Sequence, residues 1–343
     1  MKLTWVSWAL QPRRAFRISR ARRGEVRNVF VRLERDGIAG YGEASPNAFY
    51  DETWEGVAAK LEAARAWLET VEIESVADLE GAWVEAWKHM APSRAAQCAV
   101  DLALWDWLAR RAGAAVTELA WGEKPRTVAS FCTIGLSTAE ELGEKIAELA
   151  GFPQIKIKSD AAASLETVER VRARSAALIA VDANCAWSAE MIPDLACQLA
   201  RLGVAFLEQP LPPGEDARLP SGCALPILAD ESCVTEADVE RIAEYFAGFN
   251  IKLVKCGGLT PARRMVERGR ARGCQVMVGC MLESSALIAA GAVIAQRTDY
   301  ADLDGAWLIA DDPFTGWKFE RGVLAPPEAH GLGVEPVSGL FAS

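Results

Sequence analysis

Apolar and polar positions alternate from Arg27 to Glu43 and break at Asp36-Gly37, which predicts two strands joined by a tight turn. Two stretches with helical spacing follow, Thr53 to Val71 and Arg94 to Gly113. The second sets Ala99, Leu102, Trp105 and Leu108 on one apolar face and ends in Arg-Arg-Ala-Gly. A basic last turn and a closing glycine are helix stop signals. Strands followed by helices describe an α+β unit. From about Val128 the pattern becomes short strands alternating with amphipathic segments. Eight strand cores are legible: VASFCTI, QIKIKS, ALIAVDAN, VAFLEQPL, PILADESC, FNIKLVKC, CQVMVGCM and DYADLDGA. The first amphipathic segment opens with Ser137-Thr-Ala-Glu140, a capping-box pattern. Eight such repeats predict a closed parallel β/α barrel. An open doubly wound sheet is disfavoured, because no GxGxxG turn follows the first strand.

Composition narrows the chemistry. The 343 residues carry 37 Lys+Arg and 47 Asp+Glu, a net charge of −10 that disfavours phosphate-backbone binding to nucleic acid. The longest uncharged stretches, Thr127–Ala139 and Ser284–Gln296, are too short to cross a bilayer. The first residues, MKLTWVSWALQPRR, lack a signal-peptide pattern, and the nine cysteines form no CxxC pair. A cytoplasmic protein with reduced cysteines is expected. Only two histidines occur, His89 and His330, near opposite ends of the chain. A His-based mechanism is therefore disfavoured, and Lys, Asp and Glu are left to do chemical work.

Those residues recur once per strand-helix unit. Lys156 and Lys158 end the second strand, Asp182 and Asn184 the third, and Glu208 the fourth; Asp230 and Glu231 end the fifth and Lys252 the sixth. Each step from Lys158 through Asp182, Glu208 and Asp230 to Lys252 spans one such unit, so all project at the C-terminal mouth of the barrel. Asp182, Glu208 and Asp230 supply three hard oxygen donors, a set suited to Mg²⁺ rather than zinc. Lys156 and Lys158 lie two apart on a strand and share a face, while Lys252 is expected roughly across the barrel. Two amines flanking one carbon can take a proton from one face and return one to the other, provided the acting base is neutral. Lys255, three residues on, is read as pointing away and structural.

This constellation resembles the enolase superfamily, specifically its muconate-lactonizing-enzyme subgroup. The Lys-x-Lys at 156 and 158, the Asp182, Glu208 and Asp230 series, and Lys252 before the Cys256-Gly257-Gly258-Leu259 turn carry the likeness, with the helix AVDLALWDWLARRAG at 99–113. It implies a modified (β/α)7β TIM-type barrel at 119–317 and an α+β N-terminal capping domain at 1–118, completed by a C-terminal tail at 318–343. It also implies one Mg²⁺ per subunit. Asp302-Leu303-Asp304 is similar to the Asp-x-Asp of dipeptide epimerases of the L-Ala-D/L-Glu type, where two carboxylates hold the substrate's free α-ammonium. Cys280, Met281 and Glu283 fall in the family's seventh-strand segment and, with Thr133, are expected to line the substrate pocket; Asn184 and Glu231 are expected beside the metal ligands. The reaction implied is inversion at the α-carbon of the C-terminal residue by two-base 1,1-proton transfer through an ene-diolate.

Substrate side chains are expected to meet the capping loops at 16–26 and 46–52. The first contains Arg17, Arg20, Arg22 and Arg23, of which Arg20 and Arg22 are candidates for binding an acidic side chain; Asp51 and Glu52 in the second offer the opposite preference. An o-succinylbenzoate synthase or N-succinylamino acid racemase on the same scaffold is the alternative, but its substrate has no free ammonium for Asp302 and Asp304. A barrel that serves only as a binding protein is the second alternative, although none of its lysines or acids is missing. Self-association is a default expectation for such barrels.

Overall fold

The computed structural model describes residues 1–13, 16–18, 21–23, 26–160 and 164–342, with the backbone alone at 16–18 and 21–23. A three-stranded antiparallel sheet opens the chain, with β1 (Lys2–Leu10) paired to β2 (Val26–Arg35) and β2 to β3 (Ile38–Ala44). The short strands Phe16–Ile18 and Ala21–Arg23 pair with each other. Helices α1 (Trp54–Thr70), α2 (Val76–Met90) and α3 (Arg94–Ala112) follow. Ser93 caps α3 by accepting from the Ala96 N–H at 3.0 Å, and Gly113 ends it in the left-handed region at φ 64°.

Helix α3 is buried on every side from Ala95 to Ala109, as a helix wedged between two layers must be. Its approach to β3 depends on Gly40 and Gly42, where an added Cβ would overlap the carbonyls of Ala103 and Ala99. Both glycines provide close approach.

The barrel is an eight-stranded parallel sheet: β4 (Cys132–Ile134), β5 (Gln154–Lys158), β6 (Leu178–Asp182), β7 (Val204–Glu208), β8 (Ile227–Ala229), β9 (Gly248–Lys252), β10 (Gln275–Gly279) and β11 (Tyr300–Asp302). Each strand pairs with its sequence neighbour. A hydrogen bond from Phe131 N to Ala301 O at 2.8 Å joins the two ends. The first predicted strand core is split: Val128–Ala129 pairs with Val323–Ala325 of the C-terminal hairpin, and only its second half enters the barrel. The helix after β4, α4 (Ala139–Glu148), is capped by Thr138 and Glu141, one residue later than the pattern suggested.

Period-two alternation builds the interior in layers. Phe131, Ala180, Phe206, Leu228 and Met277 form a buried cluster against Tyr300, with the Phe206 and Tyr300 rings 4.7 Å apart. Two residues further along the same strands stand Thr133, Asp182, Glu208, Asp230, Gly279 and Asp302. The apolar layer fills the barrel floor and lifts the polar layer to its mouth.

Buried acids dock the capping layers onto the barrel. Glu43 on β3 accepts from Ser284 N (3.0 Å), Ser284 Oγ (2.5 Å) and Leu287 N (3.2 Å) at the start of α9 (Ser285–Ala295), and from Asn28 Nδ2 (2.7 Å). Asp101 on α3 accepts from Thr260 N (3.0 Å) and Thr260 Oγ1 (2.6 Å) in the first turn of α8 (Leu259–Ala271). Asp106 accepts from Leu332 N (2.6 Å) and Tyr41 N (2.9 Å), which ties the C-terminal tail to the cap sheet. Carboxylates at helix N-termini meet unsatisfied N–H groups and the positive end of the helix dipole. No described helix is long and apolar enough to cross a membrane.

Two outcomes follow from this packing. Gly42→Val forces α3 off β3 and lowers unfolding stability by about 3 kcal/mol, measured in urea. Burial pushes the Glu43 carboxyl up to about 7, against the pull of its hydrogen-bond donors. Between its ordinary value and that one, the native state holds a proton that the unfolded chain has released. Stability from this group is therefore complete at acid pH and is lost as pH rises through about 7, by about 1 kcal/mol per unit. Glu43→Gln flattens that slope in unfolding scans between about pH 5 and 7.

Candidate active site at the barrel mouth

Strand register sets the site. Lys158 stands beside Asp182 on β5 and β6, Asp182 beside Glu208 on β6 and β7, and Lys252, Gly279 and Asp302 align across β9 to β11. Asp230 follows β8 directly, two residues past the Leu228 that pairs with Glu208. In a closed ring of eight, β5 and β9 are four strands apart, so Lys158 and Lys252 face each other across the mouth with the three carboxylate strands between them.

The charges interlock. Lys158 Nζ donates to Asp182 Oδ2 at 2.5 Å. The ammonium of the buried Lys156 reaches Asp182 Oδ2 (3.3 Å), Glu208 Oε2 (3.2 Å) and Asp302 Oδ2. Lys252 Nζ lies 2.7 Å from Asp230 Oδ2. Burial opposes ionisation of Asp182, but the ammoniums of Lys158 and Lys156 hold it below the usual carboxylate range. Glu208 is pushed up to about 7 by burial and then by the charge of Asp182, so these acids feel one another directly. Lys156 is held far above the usual lysine range by Asp302, Glu208 and Asp182, which outweigh its burial.

Lys255 corrects the sequence reading. It does not point away: its ammonium donates to Asp230 Oδ1 (2.7 Å), Asp230 O (2.6 Å) and Asn250 O (3.1 Å), fully inside the protein. The residues after Lys252 form a helical turn, Leu253–Cys256, and three residues of helix return a side chain to the same side. Glu52 is also redirected. It accepts from Ala95 N at 3.1 Å in the first turn of α3, and so serves the helix instead of facing a substrate.

Asp302 and Asp304 are both buried, and Asp304 accepts from Thr133 N at 2.7 Å. Burial, then the charge of Asp302, pushes Asp304 up to about 7. Asp302 Oδ1 is buried with no hydrogen-bond partner among the described residues. The later pair Asp311 and Asp312 serves structure, accepting from Gln11 N (2.7 Å) and from Ser285 Oγ (2.6 Å). Glu283 is buried, accepts from Met281 N at 2.9 Å, and is pushed up to about 8 by burial and by Glu43. Cys280 and Met281 are half-buried beside it, with Met281 Sδ 3.6 Å from Asn47 Nδ2 of the cap. Asn184, at φ 44°, donates its backbone N–H to Asp182 Oδ1 at 2.9 Å, and Glu231 is buried next to Asp230. Arg20 lies outside the described residues, as does the side chain of Arg22.

Three residues of the site are not singled out by the sequence pattern. Asn250 Nδ2 donates to Glu208 Oε1 at 2.8 Å; its signal was a polar residue on an apolar strand, two before Lys252 and on the same face. Gln209, at φ 38°, accepts from Asp230 N (2.8 Å) and Ser232 N (3.0 Å) and shapes the turn that presents Asp230. Tyr50 comes from the cap, where burial pushes its phenol up to about 12 beside Lys255, Asp230 and Lys252. Nothing local in the sequence announces that contact.

All-oxygen donors on three adjacent strands fit a hard divalent cation. Among the described residues no three Asp, Glu, His or Cys side chains are drawn together to ion-chelating distance; lysine ammoniums stand between the carboxylates and act as stand-in cations on Asp182 Oδ2, Glu208 Oε2 and Asp230 Oδ2.

Comparison with known proteins agrees with this architecture. Residues 2–120 match the family model described as mandelate racemase/muconate lactonizing enzyme, N-terminal domain, and residues 138–338 match that described as enolase C-terminal domain-like. The chain is 36% identical over 337 residues to the L-Ala-D/L-amino acid epimerase of Flavobacterium johnsoniae, covering 97% of this chain and 99% of that one. It is 36% identical over 313 residues to the L-Ala-D/L-Glu epimerase of Escherichia coli K12, covering 90% and 94%. A crystal structure of a dipeptide epimerase from Methylococcus capsulatus, complexed with Mg and the dipeptide L-Arg-D-Lys, superposes with a TM-score of 0.89 at 32% identity, covering 97% and 99%. With nearly the whole length accounted for by the two models, the chain belongs to the enolase superfamily, in its muconate-lactonizing-enzyme subgroup.

Proposed function

We propose that this isomerase is a dipeptide epimerase that inverts the α-carbon of the C-terminal residue, with Lys158 and Lys252 as the two bases. The observation that carries the reading is the placement of these amines four strands apart in an eight-stranded ring, with Asp182, Glu208 and Asp230 on the strands between. The epimerase relatives and the Mg- and dipeptide-bound structure support it.

Asp182, Glu208 and Asp230 would hold Mg²⁺, which when bound neutralises negative charge developing beside the reacting carbon. Lys158 takes the α-proton from one face and Lys252 returns a proton to the other; for the opposite configuration the roles exchange. Each must be neutral to accept a proton and protonated to give one. Lys156, protonated and buried among three carboxylates, stays a fixed positive charge. Asp302 and Asp304 hold the free α-ammonium of the dipeptide. The unpartnered Asp302 Oδ1 supports that role, because a buried acceptor without a donor costs about 1–3 kcal/mol until a substrate supplies one. An N-succinylated amino acid brings no such cation.

Lys158→Ala and Lys252→Ala each reduce epimerisation by more than about 100-fold. Each retains ²H exchange at the C-terminal α-carbon from one configuration only, read by mass spectrometry across a dipeptide library. Normal turnover by either variant in both directions ends the two-base scheme, and exchange into N-succinylamino acids with none into dipeptides ends the dipeptide reading. Asp302→Asn raises KM by about tenfold or more and changes kcat less, since the lost interaction is with a group remote from the reacting carbon.

A further inference from the structure

Each carboxylate of the trio presents its two oxygens to different partners. On Asp182, Oδ1 takes the Asn184 N–H (2.9 Å) while Oδ2 meets the ammoniums of Lys158 and Lys156. On Glu208, Oε1 takes Asn250 Nδ2 (2.8 Å) and Oε2 meets Lys156 (3.2 Å). On Asp230, Oδ1 takes Lys255 (2.7 Å) and Oδ2 meets Lys252 (2.7 Å). The first partner in every case is locked into the scaffold. Asn184 acts through its backbone. Asn250 is wholly buried, and a Cβ built on Gly279 would stand 2.7 Å from its Oδ1, so only glycine leaves room for the amide. Lys255 is 2% exposed and is held by two further carbonyls, those of Asp230 and Asn250.

We propose that Asn250 and Lys255, with the Asn184 N–H, are positioning groups that fix the denticity of the metal ligands: each carboxylate has one oxygen to give, and the site therefore selects Mg²⁺ over Ca²⁺. The inference rests on the reading that this trio holds a divalent cation. Mg²⁺ requires a near-ideal octahedron at about 2.0–2.1 Å, which three single oxygens begin and water or substrate complete. Ca²⁺ takes about 6–8 oxygens at longer distances and draws on bidentate carboxylates, which pinned oxygens deny it. Lys255 also repels any cation, but that effect is alike for two divalent ions and cancels in the ratio of their affinities.

The test is isothermal titration of the chelator-treated full chain with MgCl₂ and with CaCl₂, without substrate, for wild type, Lys255→Met and Asn250→Ala. The expected result is a wild type that prefers Mg²⁺, and variants whose ratio of Ca²⁺ to Mg²⁺ dissociation constants falls about tenfold, the scale on which partners of metal ligands act. A ratio unchanged in both variants overturns the proposal, as does an equal loss of both affinities, which marks these residues as general supports. Asn250→Ala is a small truncation that keeps the test decisive if Lys255→Met fails to fold. A wild type that binds neither ion at the site removes this inference and the metal assignment together. A wild type that selects Mg²⁺, with variants that lose selectivity, upholds the denticity argument even if no dipeptide is epimerised.

Discussion

The fold depends on one electrostatic condition: charges gathered inside a protein must neutralise one another within a few ångströms. Asp182, Glu208, Asp230, Asp302 and Asp304 are buried with Lys156, Lys252 and Lys255, and Lys158 stands at the edge. Any one of these groups alone would cost several kcal/mol to remove from water. The arrangement is tolerable only as a set, since Lys156 alone touches acids from three strands. The barrel therefore has to close in the correct register before its mouth is stable, and a slip of a single position on any strand would turn its charge into the apolar layer outside.

The same condition accounts for the cap. A mouth this polar would draw in water, and the α+β layers cover it through contacts that are themselves buried and ionisable. Glu43 and Asp101 are spent on the first turns of α9 and α8, the helices that follow the Gly279 strand and the Lys252 strand. The cap is thereby referenced to the half of the barrel that carries one proposed base and the pocket segment at 280–284. Tyr50 and Asn47 reach the site from that fixed body.

Much of this was legible in the sequence because strands alternate with period two. Lys156 and Lys158, Asp182, Glu208, Asp230 and Lys252 could be placed on one face by counting, and the strand register sets them side by side. The failures have a common cause. Strand counting carries past Lys252 to Lys255, where the chain has already turned helical. Local alternation places Val128 and Ala129 in the barrel, but their partner, Val323–Ala325, lies far along the chain in the C-terminal tail. Glu52 has the look of a loop charge because its partner, the Ala95 N–H, opens α3, with both α1 and α2 intervening in the sequence. Local pattern reports which way a side chain points; it does not report which distant donor has already claimed it.

The aromatic floor has a consequence for traffic. Phe131, Phe206 and Tyr300 pack ring against ring beneath the charged layer and close the lower end of the barrel. Anything that reaches the charged layer therefore has to come from the cap side of the barrel. An aromatic plug at the base thus leaves the rim as the one face through which the buried charges meet the outside.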